Sequence, residues 1–380
     1  WLNLIKIGVE MLFINNEVVR RVLSIGEAID AQDDTFRGLA DGAAIHRPRI
    51  DMYVPTGRTE DYYRWGTMEG ASKDLGVFAI RMKSDIVSWP EDENGNWTEE
   101  KHCVEPGTYC GLIMLFSTRN GEPLAIINDG ELQHARVGAG GGLGVRYLAR
   151  EDSEVVGMIG SGGMARTYLK AFCNERPIKK VRVYSPTKKN RESYAAEMMD
   201  SLNIDIEPVD NPEEAVRGAD IVSTCTDAMR PVLKGEWLEP GMHVTNLGGY
   251  ELDEVTFNRA NVIVRQGIGG AKLAEDPRIQ YGRGHSPVAF VAGTEEEMKR
   301  LPSSELRMEQ ISSSTFPTFT DLVSGKISGR TSNDDITLYL NTGNQGLQFA
   351  AVGKVVFDKA KNLNLGHEIP TEMFLQDIRD

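Results

Sequence analysis

The spacing of apolar residues changes character along the chain. Val18, Val19, Val22 and Leu23 share one stripe, and Ile29, Phe36 and Leu39 recur at mixed three- and four-residue intervals. Residues 15–40 therefore read as helical, with a second run opening at Ile25. Residues 45–90 alternate instead and carry Pro48, Pro55 and Pro90. They predict strands at Ile50–Val54, Tyr62–Trp65, Val77–Lys83 and Ile86–Trp89. The polar, turn-rich stretch 91–108 reads as a surface loop. GLIMLFST and LAIIND, joined by GEP, predict a hairpin at 111–128, and Leu132–Arg150 reads as a helix despite its glycines. From 155 an apolar strand, a glycine turn, a helix and the strand VRVYS follow in order. Alternation continues through Ile204–Pro208, a helix at 212–217, and strands at 219–226, 242–248 and 261–266. That is the pattern of a parallel α/β domain. Residues 267–330 are mixed, with helical pieces near Glu295–Arg300 and Phe319–Ser324, and 345–363 form an amphipathic helix.

Composition narrows the classes. A chain of 380 residues, 40% apolar and 26% charged, suits a soluble, ordered protein of two or three domains. Its net charge of −14 disfavours general binding to nucleic acid or anionic membrane, while leaving room for a local basic pocket. The four cysteines form no CxxC pair and the six histidines are scattered, so no metal site is expected. Sparse cysteine suits a reducing, cytoplasmic setting. No apolar run approaches the length of a spanning helix. Met11 opens a plausible start, and the ten residues before it lack a signal-peptide cleavage site.

The glycine turn carries the first chemistry. Val155–Ile159 runs into Gly160, Ser161, Gly162, Gly163, Met164 and Ala165, then into a helix, which is GxGxxA between strand and helix. Gly160 permits the turn, Gly162 lets the backbone approach a pyrophosphate, and the helix N-terminus supplies positive charge. A dinucleotide is therefore the expected cofactor. The tip of the next strand carries Ser185, then Thr187, Lys188 and Arg191, with no carboxylate before Glu192. Hydroxyls and cations suit a 2′-phosphate that a carboxylate would repel, so NADP is expected and NAD less so.

At this point the chain resembles the ornithine cyclodeaminase/mu-crystallin family, from about Met11 to about Leu365. LAIINDGELQHARVGAGGGLGVRYLAR, ADIVSTCTDAMRPVLKGEWLEPGMHVTNLGGYELDEV and DDITLYLNTGNQGLQFAAVGKVVFDKAKNLNLG carry the likeness, in that order. The resemblance implies an α/β protein with a Rossmann-type domain, 149–330, inserted in an α+β substrate and dimerisation domain, 11–148 plus 331–380. It implies a homodimer, a cleft between the domains, a small amino, imino or keto acid substrate, and hydride exchange at its α-carbon. Ends of later strands, Thr224, Cys225, Thr226, Asn246 and Gly248, are expected to line the cofactor.

The resemblance also assigns substrate residues. Arg136 in QHARVG and Arg49 in HRPRID match arginines that grip the substrate carboxylate, a role suited to a guanidinium fork. The family lysine falls on either Arg81 or Lys83, which share one face of a strand. Glu69 is a candidate acid, with a surface carboxylate as its plainer reading. The chain departs from the family where Val137 and Gly138 follow Arg136, and where Gln133 replaces a threonine. The loop after Gly248 lacks the cyclodeaminase aspartate, and Glu251 and Asp253 match only a structural part of the motif. The favoured reading is an NADPH-dependent imino or amino acid oxidoreductase. The alternatives are a cyclodeaminase-type lyase retaining NAD, and a non-catalytic NADPH- and ligand-binding protein of the mu-crystallin kind.

Overall fold

The computed structural model describes residues 10–378, apart from 94, 96, 269–275, 284–285 and 302–314. Two sheets organise it, one mixed and one parallel. The mixed sheet holds the long antiparallel strands Ala44–Pro55, Tyr62–Ser72, Val77–Ser88, Cys110–Ser117 and Pro123–Asn128. In Tyr62–Ser72 and Val77–Ser88 burial alternates residue by residue, so one face is sealed and the other half-exposed. The sealed face packs on the C-terminal helix Gln345–Asn362 and on Ile25–Ala40. Gly70 and Gly346 allow that contact. A Cβ on either would collide with the other segment's backbone.

The parallel sheet runs Asp205–Pro208, Lys180–Tyr184, Val155–Ile159, Ile221–Thr224, His243–Asn246, Thr337–Leu340, Val262–Arg265. The order reverses beside Val155–Ile159, whose neighbours are Lys180–Tyr184 and Ile221–Thr224. In such sheets the crevice beyond the strand ends at the reversal is where ligands bind.

Between the sheets lies the helix Asp129–Leu148, whose glycines are packing surfaces. A Cβ on Gly138 would lie 2.7 Å from the Thr167 carbonyl oxygen, and one on Gly141 2.7 Å from the Tyr168 ring. Both neighbours belong to Gly163–Glu175, the helix that follows the glycine turn. Glycine costs a helix about 1 kcal/mol per position against alanine, and here it is what permits the close crossing.

Three expectations change. The strand Thr337–Leu340 belongs to the parallel sheet, so that sheet reaches beyond residue 330. The hairpin Ile279–Arg283 and Ser286–Val291 belongs to the mixed sheet, beside Ala44–Pro55, although it falls inside the 149–330 span. The apolar run of Ser286–Val291 sits between polar stretches, which masked it. The predicted strands Val77–Lys83 and Ile86–Trp89 are one strand, Val77–Ser88, because Ser84 and Asp85 keep the alternation intact.

Candidate functional site

The sealed face of the mixed sheet carries charge where it nears the glycine turn. Arg64, Arg81, Lys83 and Asp85 fall on that face by parity and all are buried. Arg49 reaches it through a bulge. The register of Ala44–Pro55 shifts between Arg47 and Ile50, around Pro48. Arg47 therefore faces outward to Glu69, whereas Arg49 turns inward with Asp51. Across the sheet, Asp51, Gly66, Lys83 and Gly111 form one row. A Cβ on Gly66 would strike the Asp51 carboxylate and one on Gly111 the Asp129 carboxylate, so the glycines on either side of Lys83 make way for these two carboxylates.

Most of these charges are paired. Arg49 donates to Asp51 through Nε and Nη2 at 2.9 and 2.6 Å. Ser286 donates to Asp51 and lies 2.7 Å from the Tyr53 hydroxyl. Arg64 grips Asp85 at 2.9 and 2.7 Å and donates to Glu99 at 2.9 Å. Lys83 Nζ is 2.7 Å from Asp85, and Arg81 is 2.5 Å from Asp129. Burial alone would push the Asp85 carboxyl up, but Arg64 and Lys83 outweigh it and hold it below the usual range. Burial, Arg64 and Lys101 push Lys83 well down.

Arg136 is different. It is buried, on the first turns of Asp129–Leu148, and its donors meet only neutral oxygens. Nη1 bonds Gln348 Oε1 at 2.6 Å, and Nε and Nη2 bond Gln133 Oε1 at 3.1 and 2.9 Å. Its guanidinium lies over the Phe349 ring at 4.7 Å. Gln348 is itself held by Gln32, at 2.8 Å. Burial, then the charge of Arg81, pull its pKa down to about 9. A cation in that setting gains most from an arriving carboxylate.

The glycine turn meets the needs of a dinucleotide. Gly160 has φ +114°, and a Cβ there would strike the Cys225 carbonyl, at the sheet's reversal point. A Cβ on Gly162 would point into open space. Gly162 caps Gly163–Glu175 with no side-chain bond to the first amides. A Cβ on Gly163 would lie 3.1 Å from His134 Nε2. Asn246 Oδ1 is buried with no hydrogen-bond partner, at the end of His243–Asn246, the strand beyond Ile221–Thr224. The residues present fit the cofactor.

The expected contacts divide. Ser161 donates to Ser185 at 2.9 Å, and Lys188 is exposed on the first turn of Lys188–Leu202, which Thr187 precedes without a side-chain cap. Arg191 turns away. It donates to the Ser185 carbonyl at 2.9 Å and pairs with Asp210, so its charge is already taken. Glu69 lies on the face of the sheet opposite Arg81 and Lys83, in an ion pair with Arg47. That geometry removes it as an acid for this site. Thr224 and Thr226 are held by Glu251, at 2.9 and 2.7 Å.

Glu251 is the residue sequence reasoning undervalued. Its buried carboxylate also accepts from the amides of Thr226, Leu247 and Gly248, at 2.6, 2.9 and 2.5 Å. Burial raises its pKa, and these hydrogen bonds oppose the rise. It ties the two loops beyond the cofactor strands together. Asp253 caps the helix Glu254–Arg259. Glu99 and Lys101, from the stretch read as a surface loop, also enter the site through Arg64. Among the described residues, no group of His, Cys, Asp and Glu side chains is arranged to hold a metal ion, and no helix is long and apolar enough to cross a membrane.

Fold and site together define an α/β protein in which a nucleotide-binding turn overlooks a cation-lined floor. A sequence model of the ornithine cyclodeaminase/mu-crystallin family matches residues 94–364, and the chain belongs to that family. It is 27% identical over 367 residues to an alanine dehydrogenase of Archaeoglobus fulgidus, covering 95% of this chain and 98% of that one. It is 31% identical over 245 residues to the ketimine reductase mu-crystallin of Macropus fuliginosus, covering 63% and 72%. The solved structure of an archaeal alanine dehydrogenase dimer with bound NAD superposes with a TM-score of 0.70 at 25% identity, covering 95% and 99%.

Replacing Glu251 by Gln removes the charge and puts an amide N–H₂ against backbone donors. The expected loss is about 3 kcal/mol of stability, with weaker cofactor binding. Chemical denaturation and fluorescence titration of the cofactor measure the two. Unchanged values in both would show that Glu251 organises nothing.

Proposed function

We propose that the protein is an NADPH-dependent oxidoreductase that moves a hydride between the nicotinamide and the α-carbon of an imino or amino acid. The observation that carries this reading is Arg136, a buried guanidinium with only neutral partners, on the helix that crosses the glycine-turn helix. An α-carboxylate is the natural counter-ion for it. Arg49, held by Asp51, adds positive field nearby. The bound cofactor supplies or accepts the hydride. Lys83 then exchanges a proton with the substrate nitrogen, since burial and neighbouring cations favour its neutral amine. Arg81, tied to Asp129, is a positioning residue. The alanine dehydrogenase and ketimine reductase relatives support this class of reaction.

The preference for NADPH rests on Ser185 at the strand tip, the exposed Lys188, and the helix N-terminus after Thr187. With Arg191 engaged by Asp210, the 2′-phosphate falls to Lys188 and the hydroxyls. Ser185→Asp is expected to weaken NADPH by repulsion and to improve NADH, read by fluorescence titration of both. Equal or tighter NADH binding by the unaltered protein overturns the assignment.

A homodimer through the mixed sheet is supported by its outer face. Trp65, Ile80, Met82, Ile86 and Met114 line it half-buried, and Met52 remains 48% exposed. The archaeal alanine dehydrogenase structure is a dimer. Light scattering at micromolar concentration is expected to give twice the chain mass, and a stable monomer would refute the assembly.

Arg136→Ala removes the carboxylate grip and is expected to cost about 3 kcal/mol, roughly a hundredfold in kcat/KM. Arg136→Lys recovers part of that, since an ammonium lacks the planar fork. Cofactor affinity changes far less. A loss confined to NADPH binding, measured without substrate, would place Arg136 on the cofactor instead.

A further inference from the structure

One side chain at the glycine turn takes no part in the chemistry of Arg136 and Lys83. On Asp129–Leu148, positions 134, 138 and 141 follow one another at four and three residues and so share a stripe. Gly138 and Gly141 meet Thr167 and Tyr168 on Gly163–Glu175, and His134 meets the first residue of that helix. With glycine at two of the three positions the helices approach closely, and the half-buried imidazole is carried up to the turn. Its Nε2 and Cε1 lie 3.1 and 3.2 Å from where a Cβ of Gly163 would stand, and its Cδ2 3.8 Å. The edge that bears Nε2 therefore fronts the helix start. Beside it a Cβ on Gly162 would meet open space, and no side chain caps the first amides.

The imidazole is uncommitted. Among the described residues, no hydrogen bond engages either ring nitrogen of His134. The charges around it are taken up by one another. Glu131, on its own helix, is held by Arg20 of Asn16–Val22 at 2.7 Å, and Asp129 by Arg81 at 2.5 Å. On the opposing helix Arg166 turns to Glu197 and to the carbonyls of Ser161 and Gly162. Burial holds the His134 pKa below its ordinary value, against the pull of Glu131 and Asp129. The positive end of the neighbouring helix acts in the same sense as burial. In the free protein His134 is thus a neutral ring at about pH 7, at a place suited to negative charge.

From this placement we infer that His134 is a second clamp on the dinucleotide, its imidazolium donating to the pyrophosphate that the glycine turn cradles. The inference rests on the dinucleotide reading of that turn and is independent of the substrate. An imidazolium makes a charge-assisted hydrogen bond to phosphate oxygen, stronger than the one a neutral ring can make. The anion raises the imidazole pKa from its depressed value, so binding takes up a proton from solvent. Affinity is then greatest below the free protein's pKa, declines as pH rises from that value to the raised one, and is level above it. The turn itself, Gly160–Ala165, holds no side chain that titrates. His134 therefore makes cofactor affinity sensitive to acid.

The test is calorimetric titration of the purified full chain with NADP⁺, in buffers of differing ionisation enthalpy, which gives both the affinity and the protons taken up. His134→Gln keeps a side chain of similar size without a titrating ring. The unaltered protein is expected to take up roughly half a proton per site more than the variant at about pH 6.5. It should bind about tenfold tighter than the variant at about pH 6, with the two within about threefold at about pH 8. The 2′-phosphate of NADP⁺ titrates in the same range in both proteins, so the difference between them isolates His134. Equal affinities, or equal proton uptake, overturn the inference and leave the turn a dinucleotide site. A loss of the same size at both pH values marks a packing role and overturns it too. No binding by the unaltered protein at either pH removes the dinucleotide reading, and the inference falls with it.

Discussion

The close crossing of two helices, Asp129–Leu148 and Gly163–Glu175, is the constraint on which the site depends. The first carries Arg136 near its start, and the second begins at the glycine turn. Their separation is set by glycines at 138 and 141, against Thr167 and Tyr168. Gly142 and Gly144 extend the same smooth surface, with Ile29 2.8 Å and Tyr339 2.7 Å from where a Cβ would stand. One helix is thus pressed at once against the mixed sheet's helices and the parallel sheet's strands. A side chain there would sit inside contact distance and force the helices to shift, and carboxylate grip and cofactor would no longer address the same carbon.

Burying so many charges is expensive, and the fold offsets the cost by pairing them before any ligand arrives. Arg64 has no exposed side-chain surface, and its guanidinium is consumed by Asp85 and Glu99. Removing either carboxylate would leave an uncompensated buried charge, typically a loss of 3–5 kcal/mol, or about that. Arg136 is exempt from this pairing. It is stacked on Phe349 and fixed by two glutamines, so its orientation is set by neutral groups while its charge stays available. Orientation without neutralisation is what a carboxylate receptor requires. It also explains how a chain of net charge −14 keeps a cationic interior.

Much of the architecture was legible in the sequence because it rests on local periodicity. The glycine turn, the strands of the parallel sheet up to Val262–Arg265, and the helix Gln345–Asn362 all follow from runs that a single segment displays. What was not legible depends on pairing between distant segments. Thr337–Leu340 is four residues, fully buried, and becomes a strand only because it fits between His243–Asn246 and Val262–Arg265. The inward turn of Arg49 depends on a bulge that no alternation pattern reports, and the same bulge sends Arg47 to Glu69 on the outer face. Arg191 looked like a phosphate ligand from its neighbours in sequence, yet Asp210, nineteen positions on, claims it in space. Membership of the family was readable from the ordered motifs, whereas the partners of each charge were not.

The turn after Asn246 shows how one carboxylate can organise two loops. That turn is short, and without an acceptor beside it its backbone donors would be left without partners. Glu251 folds back to accept from Leu247 and Gly248, and its other oxygen accepts from the Thr226 amide and hydroxyl. The same short turn brings Tyr250 against Trp97, with ring centroids 6.4 Å apart. Trp97 belongs to the stretch that sends Glu99 to Arg64. One buried carboxylate and one aromatic pair thus couple the turn beyond the parallel sheet to the stretch that reaches Arg64 on the mixed sheet.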